Sequence, residues 1–217
     1  MPNSSTPAQY VLILIDMAES QGCTRDSLLA GTTLATSGIS GIGARINDAD
    51  FTQVVANAQR LTNKPALGLK LGLRLNLSAH AVLGQAFMTC LDLAQVMDLL
   101  LKYQHILASG LQIELDTIGE QCVLTLVNTP GDVSVEFGYE LFYGAFINTI
   151  RGLLAAPDFC LRMELPYPEP AHSNVYYDAL GKAVYFSCVR GRILFHRDLL
   201  STVVPSSNPV LRNLYEA

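Results

Sequence analysis

The sequence predicts a fold of the α+β class, in which a helical N-terminal part precedes antiparallel hairpins packed with amphipathic helices. Two observations support this prediction. Apolar residues recur with the helical period through the first third of the chain, and the period changes to two from Leu111 onward. Strands and helices do not alternate one by one, which argues against a doubly wound parallel sheet.

Three helices are expected in the first third of the chain. The first is the apolar segment from Gln9 to Gln21, which Gly22 closes. Thr24 is a suitable N-cap for a short second helix, and Asn47 or Asp48 begins a third one. We therefore expect one domain over residues 1–217, with a mainly helical lead-in at 1–64 and a mixed α/β core at 65–217.

The segment from Pro65 to Leu77 allows two interpretations. Leucines at every second position from Leu67 to Leu77 predict a strand that is buried on one face. Pro65 instead suits the start of a helix, so a helical turn to Gly72 followed by a strand is equally compatible with the sequence.

The remaining elements follow from clearer signals. Their apolar periods and turn residues predict both their type and their order. In chain order they are a helix (Leu91–Ala108), a hairpin (Leu111–Val127, turned at Gly119), a long helix (Ser134–Ala155), a strand (Leu161–Leu165) and a last hairpin (Val184–Phe195, turned at Arg190–Arg192).

Composition excludes several classes of protein. Half of the residues are hydrophobic (50%), only 15% are charged, and the net charge is −5. An acidic chain is poorly suited to hold a phosphate backbone by itself. The apolar run from Tyr10 to Ile15 ends at Asp16, well short of the roughly 20 residues that cross a bilayer. No basic residue precedes this run, and the five cysteines are scattered, so we expect a cytoplasmic protein without a membrane segment and with reduced cysteines.

Catalytic and metal-binding motifs are missing from the sequence. It contains no nucleophile elbow and no phosphate-binding loop, and the four histidines lack metal-ligand spacing. We therefore expect no metal, no cofactor and no enzymatic activity. One alternative is a small hydrolase that uses Glu136 and Glu140, which lie four residues apart on one helix face. Their place near a helix N-terminus is explained more simply by the helix dipole.

Aromatic residues on the long helix suggest a ligand pocket instead. Tyr139, Phe142, Tyr143 and Phe146 follow one another closely. Packing in the core is the usual role of such rings, but rings with a few polar tips also line small-molecule sites. Arg151 lies near the same face, where its guanidinium could bind an anionic head group.

Two sequence strings resemble a known family. They are Leu-Gly-Leu-Lys-Leu-Gly at 67–72 and Leu-Ser-Ala-His-Ala-Val-Leu-Gly-Gln-Ala at 77–86, followed by an amphipathic helix that ends near Tyr103. Their order and spacing resemble the N-terminal regulatory domain of AraC-type transcriptional regulators, in the subgroup with an arabinose-binding-like domain. The resemblance extends from about Tyr10 to Leu214. Ala81 and Leu180 depart from it, since the family often has glycine and an aromatic residue there.

The resemblance implies a sensing domain that binds a small-molecule effector and sometimes forms a homodimer. In such regulators DNA is held by a further domain with two helix-turn-helix motifs, which we expect to begin where this chain stops at Ala217. Because the chain is apolar and lacks tryptophan, an amphipathic or acidic effector is favoured over a sugar. Candidates for contact with an acidic head are Arg45, Lys70, Arg74 and Arg151. His80 is either a ligand contact or a structural hydrogen-bonding residue. The remaining alternative is a purely structural oligomerisation module.

Overall fold

The fold belongs to the α+β class that the sequence predicts. A computed structural model describes residues 5–39, 43–128, 133–154, 162–208 and 210. The helices are α1 (Ala8–Glu19), α2 (Arg25–Leu29), α3 (Leu34–Ser37), α4 (Asp48–Thr62), α5 (Leu67–Gly72), α6 (Ala81–Thr89), α7 (Leu93–Leu107), α8 (Val135–Leu154) and α9 (Asn174–Leu180), with 3₁₀ turns at Leu77–His80 and Arg197–Ser201. The strands are β1 (Ser5–Pro7), β2 (Arg45–Asn47), β3 (Gln112–Ile118), β4 (Gln121–Asn128), β5 (Arg162–Glu164), β6 (Val184–Tyr185) and β7 (Gly191–His196).

Some expected boundaries lie outside the described residues. They are the predicted end of the long helix at Ala155, the predicted strand start at Leu161 and the end of the chain from 211 to 217. Cys160 is outside as well, while the other four cysteines form no disulfide with one another.

Side-chain caps begin the helices where the sequence predicts them. The Thr24 hydroxyl accepts the Ser27 backbone N–H at the start of α2, and the Asn47 side chain accepts the Asp50 N–H at 2.8 Å at the start of α4. These bonds satisfy backbone donors that the first turn of a helix leaves without partners. The predicted starts of α2 and α4 are therefore confirmed.

The ambiguous leucine segment forms α5 up to Gly72, as the second interpretation predicts, but turns rather than a strand follow it at residues 73–80, so both predictions of a strand are wrong. Glycines explain why α5 forms there, because they allow it to lie directly on α8. A Cβ atom at Gly72 would lie 2.7 Å from the Ala145 backbone nitrogen, and one at Gly144 would lie 2.7 Å from the Leu69 carbonyl oxygen. No side chain fits at such distances, so the two helix backbones meet at this crossing.

The larger sheet has the strand order β3-β4-β7-β5-β6. The first predicted hairpin, β3 and β4, is confirmed, and Gly119 turns the chain with a positive φ of 61°. The last predicted hairpin is wrong. β6 pairs with β5 in parallel, while β7 lies between β4 and β5 and is antiparallel to both. The chain leaves β6 after two residues because Ser187 turns it with a φ of 55° and the Cys188 N–H donates to the Leu165 carbonyl.

Two hydrophobic clusters form the core. The helical cluster contains side chains of α1, α2, α4 and α5, and it extends past residue 64 to Ala79. The main cluster lies between α6, α7, α8 and the larger sheet. α8 contributes to both, since Phe137 and Leu141 belong to the helical cluster and Phe146 and Ile150 belong to the main one. None of the helices within the described ranges is long and apolar enough to span a membrane.

Candidate functional site

An apolar chamber of about 70 Å³ lies beside α7 and α8, at the boundary between the two clusters. Residues of both clusters line it. From the helical cluster these are Tyr10, Leu75 and Leu141, and from the main cluster they include Phe87, Val96, Met97, Leu100, Phe146 and Ile150.

Three polar side chains at the chamber wall form a relay of hydrogen bonds. The Tyr10 hydroxyl lies 2.7 Å from Nδ1 of His80, and Nε2 of His80 lies 3.0 Å from the Thr149 hydroxyl. In a neutral imidazole one ring nitrogen accepts and the other donates, so the relay satisfies both. It joins α1 to the 3₁₀ turn before α6, and that turn to α8.

Burial controls the charge of this relay. It lowers the pKa of His80 to about 4, so the ring is neutral at pH 7. It also raises the pKa of Tyr10 above the usual range of a phenol. The chamber therefore presents a neutral polar edge within an apolar wall.

Three of the predicted site residues line the chamber: Phe142, Phe146 and His80. Tyr139 and Tyr143 lie on α8 as well, but they face the larger sheet. The Tyr139 hydroxyl donates to the Leu126 carbonyl at 3.3 Å, and the Tyr143 hydroxyl donates to the Glu164 carbonyl at 2.6 Å. Burial raises the pKa of both tyrosines.

The predicted cationic contacts lie outside the chamber, and no Lys or Arg occurs among its lining residues in the described part of the chain. Arg74 is exposed and lies 3.8 Å from the carboxylate of Asp16. Arg151 is half-buried and donates to the Ala179 carbonyl at 3.5 Å. The two other candidates also bond to the protein, Arg45 to the Ile106 carbonyl and Lys70 to the Pro65 carbonyl.

A second cavity of about 440 Å³ lies at the N-terminal end of α8 and is here called the acidic groove. Its lining includes Glu136, Glu140, Tyr167, Glu169, His172 and Tyr176. Glu140 is buried, and its carboxylate accepts the Gly68 backbone N–H at 3.0 Å and the hydroxyl of Tyr176. Burial raises the pKa of Glu140. Glu136 is exposed, so the two glutamates share a face of α8 but differ in environment.

Sequence reasoning missed the tyrosines of this groove and a buried carboxylate in the sheet. Glu164 is 3% exposed and accepts hydrogen bonds from Arg162 at 2.9 Å and from Arg192 at 2.7 Å. The ion pair between Glu164 and Arg192 connects β5 to β7. The alternation of Arg162 and Glu164 on one strand face was the available signal, but the second arginine comes from a distant strand. Histidine, cysteine and carboxylate side chains form no group of three or more that could hold a metal ion in the described ranges.

Comparison with known proteins agrees with this fold. Residues 22–204 match the family described as the arabinose-binding domain of AraC transcription regulators, N-terminal. The chain therefore belongs to this family of N-terminal, ligand-binding regulatory domains, and the resemblance found in the sequence is confirmed.

Among curated proteins, the chain is 30% identical over 181 residues to the ornithine utilization regulator of Pseudomonas aeruginosa. The alignment covers 83% of this chain and 53% of that relative, so the chain spans about half of the relative's length. Among solved structures, the transcriptional regulator CdpR of Pseudomonas aeruginosa has a TM-score of 0.59 and 16% identity, over 68% of this chain and 49% of that chain. The second likeness concerns the fold alone.

Proposed function

We propose that this chain is the effector-sensing part of a longer AraC-type transcription regulator and that the apolar chamber holds the effector. One observation carries the proposal: the chamber lies at the contact between the two hydrophobic clusters, and a hydrogen-bonded relay that joins them forms part of its wall. In this proposal the chain is part of a cytoplasmic regulator and has no enzymatic activity.

The lining supports an effector with an apolar body and a polar group. Tyr10, His80 and Thr149 are the hydrogen-bonding side chains among the described lining residues. A hydroxyl or carbonyl group of the effector would replace one bond of the relay. Of the amphipathic and acidic molecules expected from the sequence, the lining favours the amphipathic ones, because a buried carboxylate here would have no cationic partner.

The small volume of the chamber connects binding to a change in conformation. At about 70 Å³ it is roughly half the size of a cavity of about 150 Å³ that admits benzene. We therefore expect a larger effector to displace side chains that line the chamber, such as Leu141 and Leu100. An effector that binds the displaced arrangement better shifts the population toward it.

This shift would reach DNA through a part of the regulator outside this chain. Support comes from the family and from the span of the chain, which is about half the length of its curated relative. The net charge of −5 also favours DNA contact by another, more basic part. Homodimer formation is a further part of the proposal, and light scattering over a dilution series tests it: a persistent monomer at high concentration would exclude it.

The effector is sought by a thermal-shift screen of the chain with fatty acids, aromatic acids and alcohols, sugars and nucleotides. L-ornithine is included because the curated relative is named for ornithine utilisation. A compound that raises the melting temperature is then titrated by calorimetry against three forms of the chain: wild type, Ala145→Leu and Ala56→Leu.

Ala145 lines the chamber, and leucine adds three carbon atoms to that wall. Ala56 lies on the exposed face of α4 and is the matched control. The proposal predicts that Ala145→Leu weakens binding at least about tenfold, which corresponds to about 1.4 kcal/mol, while Ala56→Leu binds as wild type does. Equal binding by all three forms would place the effector elsewhere.

A further inference from the structure

We propose that the acidic groove is a second binding site, which takes a small organic amine with its ammonium group between the Glu140 carboxylate and the Tyr167 hydroxyl. The site is separate from the chamber, since the two cavities share no lining residue among those described. Its volume of about 440 Å³ lies in the range of small-molecule sites, about 300–1,000 Å³.

The charge of the groove favours a cation. Among the described residues, three carboxylates line it, those of Glu136, Glu140 and Glu169, against the single ammonium group of Lys64. The Tyr177 hydroxyl donates to Glu169 at 2.8 Å, and hydrogen bonds from Ser173 and Tyr177 lower the pKa of that carboxyl group. An ammonium ion entering the groove therefore meets an excess of negative charge.

A buried hydroxyl without a regular hydrogen bond marks where the ligand would bind. Tyr167 lines the groove and is 6% exposed, and its hydroxyl makes no hydrogen bond of regular geometry, although the Tyr176 hydroxyl lies beside it. The neighbouring Tyr176 hydroxyl donates to Glu140 instead. A buried polar group in this state is unusual and costs free energy. An ammonium group carries three donors, so it can donate to Tyr167 and to Glu140 at once.

The backbone of α5 holds the Glu140 carboxylate in place. The Gly68 N–H donates to one carboxylate oxygen at 3.0 Å, and the Tyr176 hydroxyl donates to the other. A Cβ atom at residue 68 would lie 2.8 Å from the Cβ of Glu140, so glycine permits this close approach. The Leu69 N–H also donates to this carboxylate, and the oxygen that accepts from Tyr176 keeps a lone pair for a ligand donor.

Aromatic side chains complete the walls. The groove is lined by Phe137, Tyr167 and Tyr176, and the His172 ring is stacked on the Tyr176 ring with centroids 6.0 Å apart. Aromatic faces attract ammonium groups and also cover an apolar carbon chain. The expected ligand is therefore an alkyl amine or diamine, in contrast to the apolar chamber, which lacks a charged wall.

The test uses calorimetric titration of the whole chain with 1,4-diaminobutane, and with 1,4-butanediol as its uncharged counterpart. The variants are Tyr167→Phe, which removes only the Tyr167 hydroxyl, and Glu140→Gln, which removes the charge. Tyr103→Phe is the matched control, because Tyr103 lies on α7 outside both cavities.

We expect saturable binding of the diamine and none of the diol. Both groove variants should weaken the diamine at least about tenfold, and the control should not. Tyr167→Phe should melt at the same temperature as wild type or higher, because it removes a buried hydroxyl that makes no regular hydrogen bond. Its loss of binding then cannot be due to unfolding.

Three results would overturn the proposal: absence of saturable diamine binding, equal binding of the diol, or unchanged affinity of Tyr167→Phe. Binding measurements with the chamber variant, Ala145→Leu, and with Tyr167→Phe distinguish this proposal from the effector-sensing one. Ala145→Leu should leave diamine binding unchanged, and Tyr167→Phe should leave binding in the chamber unchanged. Either proposal can therefore fail alone.

Discussion

Protonation of His80 should make the chain less stable in acid, by an amount that follows from its burial. The ring has an ordinary pKa of 6.5 when the chain is unfolded and a pKa of about 4 in the folded chain, because burial disfavours the charged form. Between these two values the unfolded chain binds a proton that the folded chain does not. Stability from this group is therefore complete above about pH 6.5 and is lost as the pH falls toward 4.

The magnitude follows from this difference. Each pH unit between the two pKa values is worth about 1.4 kcal/mol, so a change from about pH 7 to about pH 5 should remove about 2 kcal/mol of unfolding free energy. Glu140 acts in the opposite direction, because burial raises its pKa and acid then favours the folded state. The contribution of His80 is therefore measured as the difference in lost unfolding free energy between wild type and a variant without this histidine.

The assay is urea denaturation of wild type and His80→Gln at about pH 7 and at about pH 5. Glutamine keeps a hydrogen-bonding side chain in the relay but takes up no proton in this range. Wild type should lose about 2 kcal/mol more than the variant between the two conditions. Parallel losses in both chains would refute the assignment of His80 as a buried neutral group.

Three further predictions concern stability and are measured in the same way, by urea denaturation at neutral pH. Gly72→Ala should cost about 2 kcal/mol or more, because its Cβ meets the backbone of α8, whereas Gly152→Ala, whose nearest side-chain atom is 3.8 Å away, should be neutral or stabilise by up to about 1 kcal/mol. Equal effects of the two would contradict the close crossing of α5 and α8. Tyr143→Phe should cost about 1 kcal/mol, since it removes the donor to the Glu164 carbonyl, and a neutral result would mean that the bond adds no net stability. Arg74→Ala should change stability by less than about 0.5 kcal/mol, because its ion pair is exposed, and a larger loss would contradict that view.

Local signals in the sequence were sufficient for most single elements. Thr24 and Asn47 begin their helices because a cap needs only a side chain and the next turn of backbone. Gly119 defines the first hairpin for the same reason, since both strands are neighbours along the chain. The family resemblance depended on strings of this kind, including the glycines of α5 that the structure places against α8.

Elements whose structure depends on contacts distant along the chain could not be predicted from local sequence signals. The leucines of α5 face two clusters, Leu67 and Leu71 the helical one and Leu69 the main one, so the helical period is hidden. The last strands were assigned to one hairpin because Val184 and Ile193 are close along the chain. In the sheet their strands lie on opposite sides of β5, which no local pattern specifies.

The candidate site was likewise predictable only in part. A cluster of aromatic residues on one helix was visible in the sequence, but packing decides which of them lines a cavity. Phe142 and Phe146 face the chamber, whereas Tyr139 and Tyr143 bond to the sheet. The partner of His80 in the relay, Tyr10, is 70 residues away along the chain, so the sequence alone could not connect them.

The location of a bound effector is the most direct test of the account. The compound selected by the thermal-shift screen is added to the chain with labelled methyl groups, and intermolecular nuclear Overhauser effects are recorded. The account predicts contacts between the compound and the methyl groups of Val96, Leu100 and Ile150, which line the chamber. Contacts confined to Ala66 and Leu67 in the acidic groove, or to exposed methyl groups such as those of Val189, would contradict it.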